Sequence, residues 1–232
     1  MTSLADSSIL IVGAAGGLGR EIAQILSAEG AVLTLHARSA ERISELGVPG
    51  AMVTGDLCDE DIPAQLVAAA LSAHGRLDGI IVAAGLVAFG AMAEVSDETI
   101  DTLMCVNATA PMRLLRAAHP AFLESAAEHR DPFFLTLTGI VSEAPTANMA
   151  AYSASKSALA AFGTAAGREM RREGIRVLDA RPGHIETGLA TRPIQGSAPK
   201  MPAGFSPARI ARRLVDAIIS GERDLPSTAF TA

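Results

Sequence analysis

The one tyrosine of the chain, Tyr152, stands four residues before Lys156, one of only two lysines, in the run Tyr152-Ser153-Ala154-Ser155-Lys156. Random placement produces that coincidence roughly 1 time in 100, and on a helix a spacing of four puts both side chains on one face. A phenol, with an ordinary pKa of about 10, exchanges a proton with a carbonyl oxygen more readily near neutrality when an adjacent ammonium stabilises its phenolate form. The pair predicts general acid–base chemistry at a carbonyl or a secondary alcohol.

A second cluster lies at the start of the chain, where an apolar run leads into Gly13-Ala14-Ala15-Gly16-Gly17-Leu18-Gly19 and then an amphipathic segment. A strand, a glycine turn and a helix in that order seat a pyrophosphate. Backbone N–H groups and the positive helix end hold the anion, and the absent side chains let it approach. An ordinary tight turn is the plainer reading of a glycine cluster; the flanking strand and helix favour the dinucleotide site. After the next strand such a site offers an acid to ribose hydroxyls or an arginine to a 2′-phosphate. No acid lies between Glu29 and Glu41; the strand ends His36-Ala37-Arg38-Ser39, with Arg42 one helical turn later. That cationic pocket favours NADP(H) over NAD(H). Asp56, closing the third strand, caps an adenine amino group or else closes an Asx-turn on its own backbone.

The elements that must position these residues follow an alternation of short apolar runs and longer amphipathic segments, the βαβα pattern of a doubly wound parallel sheet with helices on both faces. Strands are expected over 8–12, 31–37, 51–54, 78–84, 133–138 and 175–180. Helices are expected over 18–29, 40–46, 60–74, 150–173 and from Pro207 to about 220. Ser96, followed by Asp97 and Glu98, caps a long helical region to about 128 that Pro111 and Pro120 should kink or divide. The stretch 187–205, with three prolines and three glycines, reads as a substrate loop or lid over a single domain spanning 1–232.

With these residues in place the sequence resembles the short-chain dehydrogenase/reductase family: glycines at 13, 17 and 19, Tyr-x-x-x-Lys at Tyr152 and Lys156, Asn107 in Val106-Asn107-Ala108, and Arg181-Pro182-Gly183-His184-Ile185-Glu186-Thr187 after the sixth strand. The resemblance covers nearly the whole chain and implies a Rossmann-type oxidoreductase. Tyr152, Lys156 and Asn107 are its implied catalytic residues, Asn107 ordering a proton-relay water. Gly13, Gly16, Gly17, Leu18, Gly19, Arg38, Ser39, Asp56, Leu57, Ala84, Gly85, Asn107, Tyr152, Lys156, Pro182, Gly183, Ile185 and Thr187 would surround the cofactor. Assembly as a homodimer or homotetramer through the two long helices is also implied.

Three positions depart from the family pattern. A threonine before the first glycine is Val12, and an Asn-Asn-Ala-Gly segment appears as Val82-Ala83-Ala84-Gly85. The family serine that hydrogen-bonds the substrate oxygen falls on Gly139. Thr138 should face the other side of a strand, and Ser142 reaches the site only through a shortened loop. Restoring a hydroxyl with Gly139→Ser is then expected to raise turnover. The missing serine also supports a second reading, a dinucleotide-binding sensor or subunit with weak or absent catalysis.

Composition excludes several other classes. The chain has 232 residues, 49% hydrophobic, with 25 acidic and 19 basic side chains and a net charge of −6. It lacks the cationic surplus of a nucleic-acid binder. The longest apolar stretch, 80–93, is broken by Gly85 and Gly90 and is too short to cross a bilayer, and no basic residue precedes the first apolar run as in a secretory signal. Cys58 and Cys105 read as packing residues of a reduced, cytoplasmic protein. Five scattered histidines give no metal site. Ser153-x-x-Lys156 matches an acyltransferase motif, but no Lys-Thr-Gly or Gly-x-Ser-x-Gly accompanies it. The lid, apolar apart from Arg192 and Lys200, suggests a small, mostly apolar substrate.

Overall fold

A computed structural model describes residues 2–230. Seven parallel strands form one sheet in the order β3-β2-β1-β4-β5-β6-β7: β1 (Ser8–Val12), β2 (Val32–Ala37), β3 (Ala51–Thr54), β4 (Gly79–Val82), β5 (Phe133–Leu137), β6 (Arg176–Ala180) and β7 (Asp224–Leu225). The order reverses between β1 and β4, the switch point at which doubly wound sheets open a crevice for ligands. The helices are α1 (Gly17–Ala28), α2 (Ala40–Ser44), α3 (Ile62–His74), α4 (Asp97–Met104), α5 (Ala110–Ala127), α6 (Ala150–Met170) and α7 (Pro207–Ser220).

Strand alternation sends side chains to two cores. Ile9, Ile11, Leu33 and Leu35 meet Ile22 and Leu26 of α1 and Leu214 and Ile218 of α7. Leu10, Ile80, Phe134 and Val177 meet Leu66 of α3, Phe122 of α5 and Ala166 of α6. The central strands β1 and β4 are buried along their whole length, so their sequences read as unbroken apolar runs.

The long helical region from Ser96 divides where the sequence suggests. Ser96 Oγ accepts the Thr99 N–H at 3.2 Å, α4 ends at Met104, a π-turn occupies Cys105–Thr109, and α5 begins just before Pro111. Pro120 lies inside α5 without ending it. The C-terminal strand β7, which the short polar tail did not announce, adds to the edge of β6.

The cysteines are not the isolated packing residues expected. Cys58, exposed after β3, and half-buried Cys105, at the head of the π-turn, form a disulfide with their Cα atoms 5.7 Å apart. Spacing in the sequence could not reveal it, since the sheet brings together loops 47 residues apart. Closing a loop of that length stabilises by roughly 4 kcal/mol in the chain-entropy model. Urea unfolding with and without a thiol reductant should therefore differ, the reduced protein losing about 2–4 kcal/mol; coincident curves would show that the bridge contributes nothing.

Candidate active site

The glycine turn sits at the carboxyl ends of β1 and β4, and packing dictates its composition. Gly13 adopts φ +84°, and a Cβ there would stand 2.6 Å from the Ala84 nitrogen; at Gly19 it would stand 2.2 Å from the Gly13 carbonyl oxygen. At Gly17 it would meet Thr187 at 2.8 Å. These contacts bring the residues after β1, β4 and β6 around one crevice. Helix α1 opens from Gly16 with no side-chain cap and no acid in its first turn. Its leading N–H groups face the crevice without an intrahelical partner, as an anion site requires. A dinucleotide's pyrophosphate fits this cradle.

The other end of the crevice is cationic. Arg38, at the end of β2, makes no hydrogen bond or ion pair with the described residues, and Arg42 Nη2 donates to the Ala15 carbonyl of the glycine turn at 3.1 Å. Ser39 caps α2, accepting the Arg42 N–H at 3.4 Å and donating to Glu41. Asp56 forms the Asx-turn, its Oδ1 accepting the Cys58 N–H at 2.9 Å, and its other oxygen has no partner among the described residues. Leu57 beside it is buried.

Tyr152 and Lys156 share the inner face of α6, the ammonium 5.9 Å from the phenol ring centroid. Lys156 is buried and donates to the Leu137 carbonyl at 2.8 Å. A Cβ on Gly85 would lie 3.4 Å from both Lys156 Nζ and Asn107 Oδ1, so Gly85, Asn107 and Lys156 meet at one point. Asn107 is fully engaged: Oδ1 accepts the Leu86 N–H at 2.9 Å, and Nδ2 donates to Leu86 O at 2.9 Å and to Ser155 Oγ at 3.0 Å. Its side chain anchors the loop after β4, and its backbone lies in a π-turn that interrupts the helical ladder.

Electrostatics of the pair follow burial. Desolvation pushes the Tyr152 phenol up to about 12. Burial lowers the Lys156 ammonium to about 8, opposed by the negative charge of Asp179. A phenol this reluctant to ionise holds its proton through neutral pH, which suits an acid more than a base.

Gly139 has a physical reason to be glycine. It follows β5 at φ +73°, ψ 168°, a region that is essentially restricted to glycine. Thr138 lies on the face toward α6, not the opposite one, and its hydroxyl is committed within the sheet, donating to Asp179 Oδ2 at 2.7 Å. Ser142 Oγ lies 3.0 Å from Thr138 Oγ1 and 2.8 Å from the Gly139 carbonyl, so its proton is committed to its own loop. Any Cβ at Gly139 is strained by this backbone, so Gly139→Ser would bring its hydroxyl only at a cost in stability. Sequence reasoning also passed over Ser155, which links Asn107 to the Tyr152 carbonyl, and Asp179, a lone carboxylate inside an apolar strand.

The residues after β6 are ordered. Ile185 bridges Phe205, and Gly183 backs onto the Phe205 ring. The Ile194 N–H donates to Val87 O at 2.9 Å, and Gln195 Oε1 accepts the Ser96 N–H at 3.1 Å, pinning segment 187–205 to the loop after β4. His184 lies 3.5 Å from Glu186, within this loop.

A model of the short chain dehydrogenase family matches residues 7–196. The chain belongs to the short-chain dehydrogenase/reductase family. Among the relatives of this oxidoreductase family, the mouse dehydrogenase/reductase SDR family member 7B is 28% identical over 98% of this chain and 75% of its own length. The crystal structure of 3-ketoacyl-(acyl-carrier-protein) reductase from Brucella melitensis complexed with NADH superposes with a TM-score of 0.87 at 25% identity, covering 98% of this chain and 99% of that one. A metagenomic short-chain oxidoreductase in complex with NADP gives 0.77 at 29% identity, covering 94% and 92%. The family fold thus takes NAD(P), with either nicotinamide cofactor represented among these neighbours.

Substituting Gly139 tests the backbone reading. Both Gly139→Ala and Gly139→Ser should lose about 1–3 kcal/mol in urea unfolding, by similar amounts, and the serine should bring no gain in turnover. A serine variant that is as stable as the parent and faster would restore the hydroxyl reading.

Proposed function

We propose that this chain is an NADP(H)-dependent oxidoreductase that reduces a small, mostly apolar carbonyl compound or oxidises the corresponding secondary alcohol. The observation that carries the chemistry is Tyr152 beside Lys156 on the inner face of α6, with Gly85 and Asn107 at the ammonium. A bound nicotinamide supplies the hydride. Tyr152 donates the proton to the carbonyl oxygen in reduction, its burial keeping it protonated until that moment. Lys156 places positive charge under the ring as phenolate character develops and binds the nicotinamide ribose. The Asn107 backbone holds the water through which the proton is replaced. Pro182, Gly183, Ile185 and Thr187 close over the nicotinamide end, while Gly13, Gly16, Gly17, Leu18 and Gly19 receive the pyrophosphate. Ala84 and Gly85 form the floor, with Asp56 and Leu57 at the adenine.

Preference for NADP(H) rests on Arg38, unpartnered among the described residues at the end of a strand that offers no carboxylate, with Ser39 next to it. The substrate class rests on segment 187–205, where Leu189, Ala190, Ile194 and Met201 supply apolar surface. Assembly through the two long helices belongs to the same reading; Leu123, 39% exposed on α5, is an apolar surface that a second subunit could cover.

Two measurements test the proposal. NADPH should bind more tightly than NADH, and Arg38→Ala should remove about 1.5–3 kcal/mol of that difference, as expected for a charge-assisted contact; equal affinities in the parent would end the NADP(H) assignment. Tyr152→Phe should reduce turnover about 10²–10⁴-fold while leaving NADPH affinity nearly unchanged. Cofactor binding without turnover on any carbonyl compound in the parent itself would instead favour the sensor reading, which draws on the hydroxyl that Gly139 lacks.

A further inference from the structure

Asp179 is a carboxylate inside the sheet, 8% exposed, on a strand whose other residues are also buried. Three groups donate to it: Thr136 Oγ1 at 2.8 Å to one oxygen, and Thr138 Oγ1 at 2.7 Å and Arg181 Nη1 at 3.0 Å to the other. The guanidinium can only donate, and both threonine hydroxyls are within donating distance, a set of partners that stabilises the ionised carboxylate against its burial.

Arg181 does not neutralise it alone. The same guanidinium also engages Glu143 and, at 2.7 Å, Asp224. One cation shared among three carboxylates leaves an excess of negative charge at the ends of β5 and β6.

The other cation is Lys156. β5 and β6 pair with Thr136 opposite Asp179 and Leu137 opposite Ala180. By strand alternation Thr136, Thr138 and Asp179 project to the face that Phe134 and Val177 share with α5 and α6. Lys156 descends from α6 onto this face and donates to Leu137 O, the carbonyl between the two threonines that hold Asp179. A buried ammonium is costly without a compensating anion. We propose that Asp179 is a positioning residue of the active site: the buried counter-charge that keeps Lys156 an ammonium beneath Tyr152 and, through Thr138, fixes the turn at Gly139 and Ser142.

Burial raises the Asp179 carboxyl and the three donors oppose it; toward Lys156 its charge works against the desolvation that lowers the ammonium. The titratable and charged groups around Asp179 are Lys156 and Tyr152 from α6, Arg181 at the end of β6, Glu143 after the Gly139 turn and Asp224 of β7. The proposal rests on the oxidoreductase reading for its purpose, but its test needs neither cofactor nor substrate, so each can fail alone.

The composition makes the test direct, because the chain has only two lysines, Lys156 and exposed Lys200. In protein labelled with ¹³Cε-lysine, two signals titrate, and Lys200→Arg assigns them. In Asp179→Asn the Lys156 signal should titrate with proton affinity lowered at least about tenfold, whereas Thr136→Val, which removes a hydrogen bond and keeps the charge, should move it far less. A Lys156 titration unchanged in Asp179→Asn, or moved equally by Thr136→Val, overturns the proposal. Should Asp179→Asn fail to fold, adding Lys156→Met removes the stranded cation and should restore folding; a double variant that stays unfolded assigns Asp179 to the sheet alone and overturns it equally.

Discussion

The ammonium of Lys156 is held out of water, and the top of the sheet is arranged around that constraint. Its neighbours must be small where it passes, as Gly85 is, must offer oxygen where it points, as Leu137 does, and must carry opposite charge within reach, as Asp179 does. The ammonium stands 5.9 Å from the Tyr152 ring centroid, in surroundings of low polarity where a charge counts for more than it would in solvent. Asn107 belongs to the same arrangement: by binding both backbone groups of Leu86 it fixes the loop that supplies Gly85.

Much of the fold was legible because it rests on local rules. Buried parallel strands produce continuous apolar runs, and β1, β4, β5 and β6 were visible for that reason. Gly30, at φ +85°, and Gly75, at φ +71°, follow helices where only a left-handed residue stops the chain cleanly. The spacing of Tyr152 and Lys156 is a helical property, so the pair could be found before the helix was known. The element ends were less legible: β4 spans Gly79–Val82 where the apolar run extends to Ala84, because Ala84 turns out of the sheet against Gly13.

What the sequence withheld depends on contacts between distant segments. The pairing of Cys58 with Cys105 and the charge cluster of Asp179, Arg181, Glu143 and Asp224 join residues from separate loops and strands. Gly139 was visible as a residue but its meaning was not. Read by alignment to a motif it is a lost hydroxyl, whereas its dihedral angles make it the only residue type that fits the turn without strain. A missing side chain and a required backbone look alike in one sequence.

The bridge between Cys58 and Cys105 closes a covalent ring that contains α3, β4 and α4. Strand β4 runs through the centre of the sheet between β1 and β5, so the ring is interlocked by hydrogen bonds with segments outside it. Connectivity within this ring is therefore redundant. A peptide bond cut anywhere between the two cysteines leaves both halves of the chain joined through sulfur, and the mass of the molecule changes only by the water added until the bridge is opened.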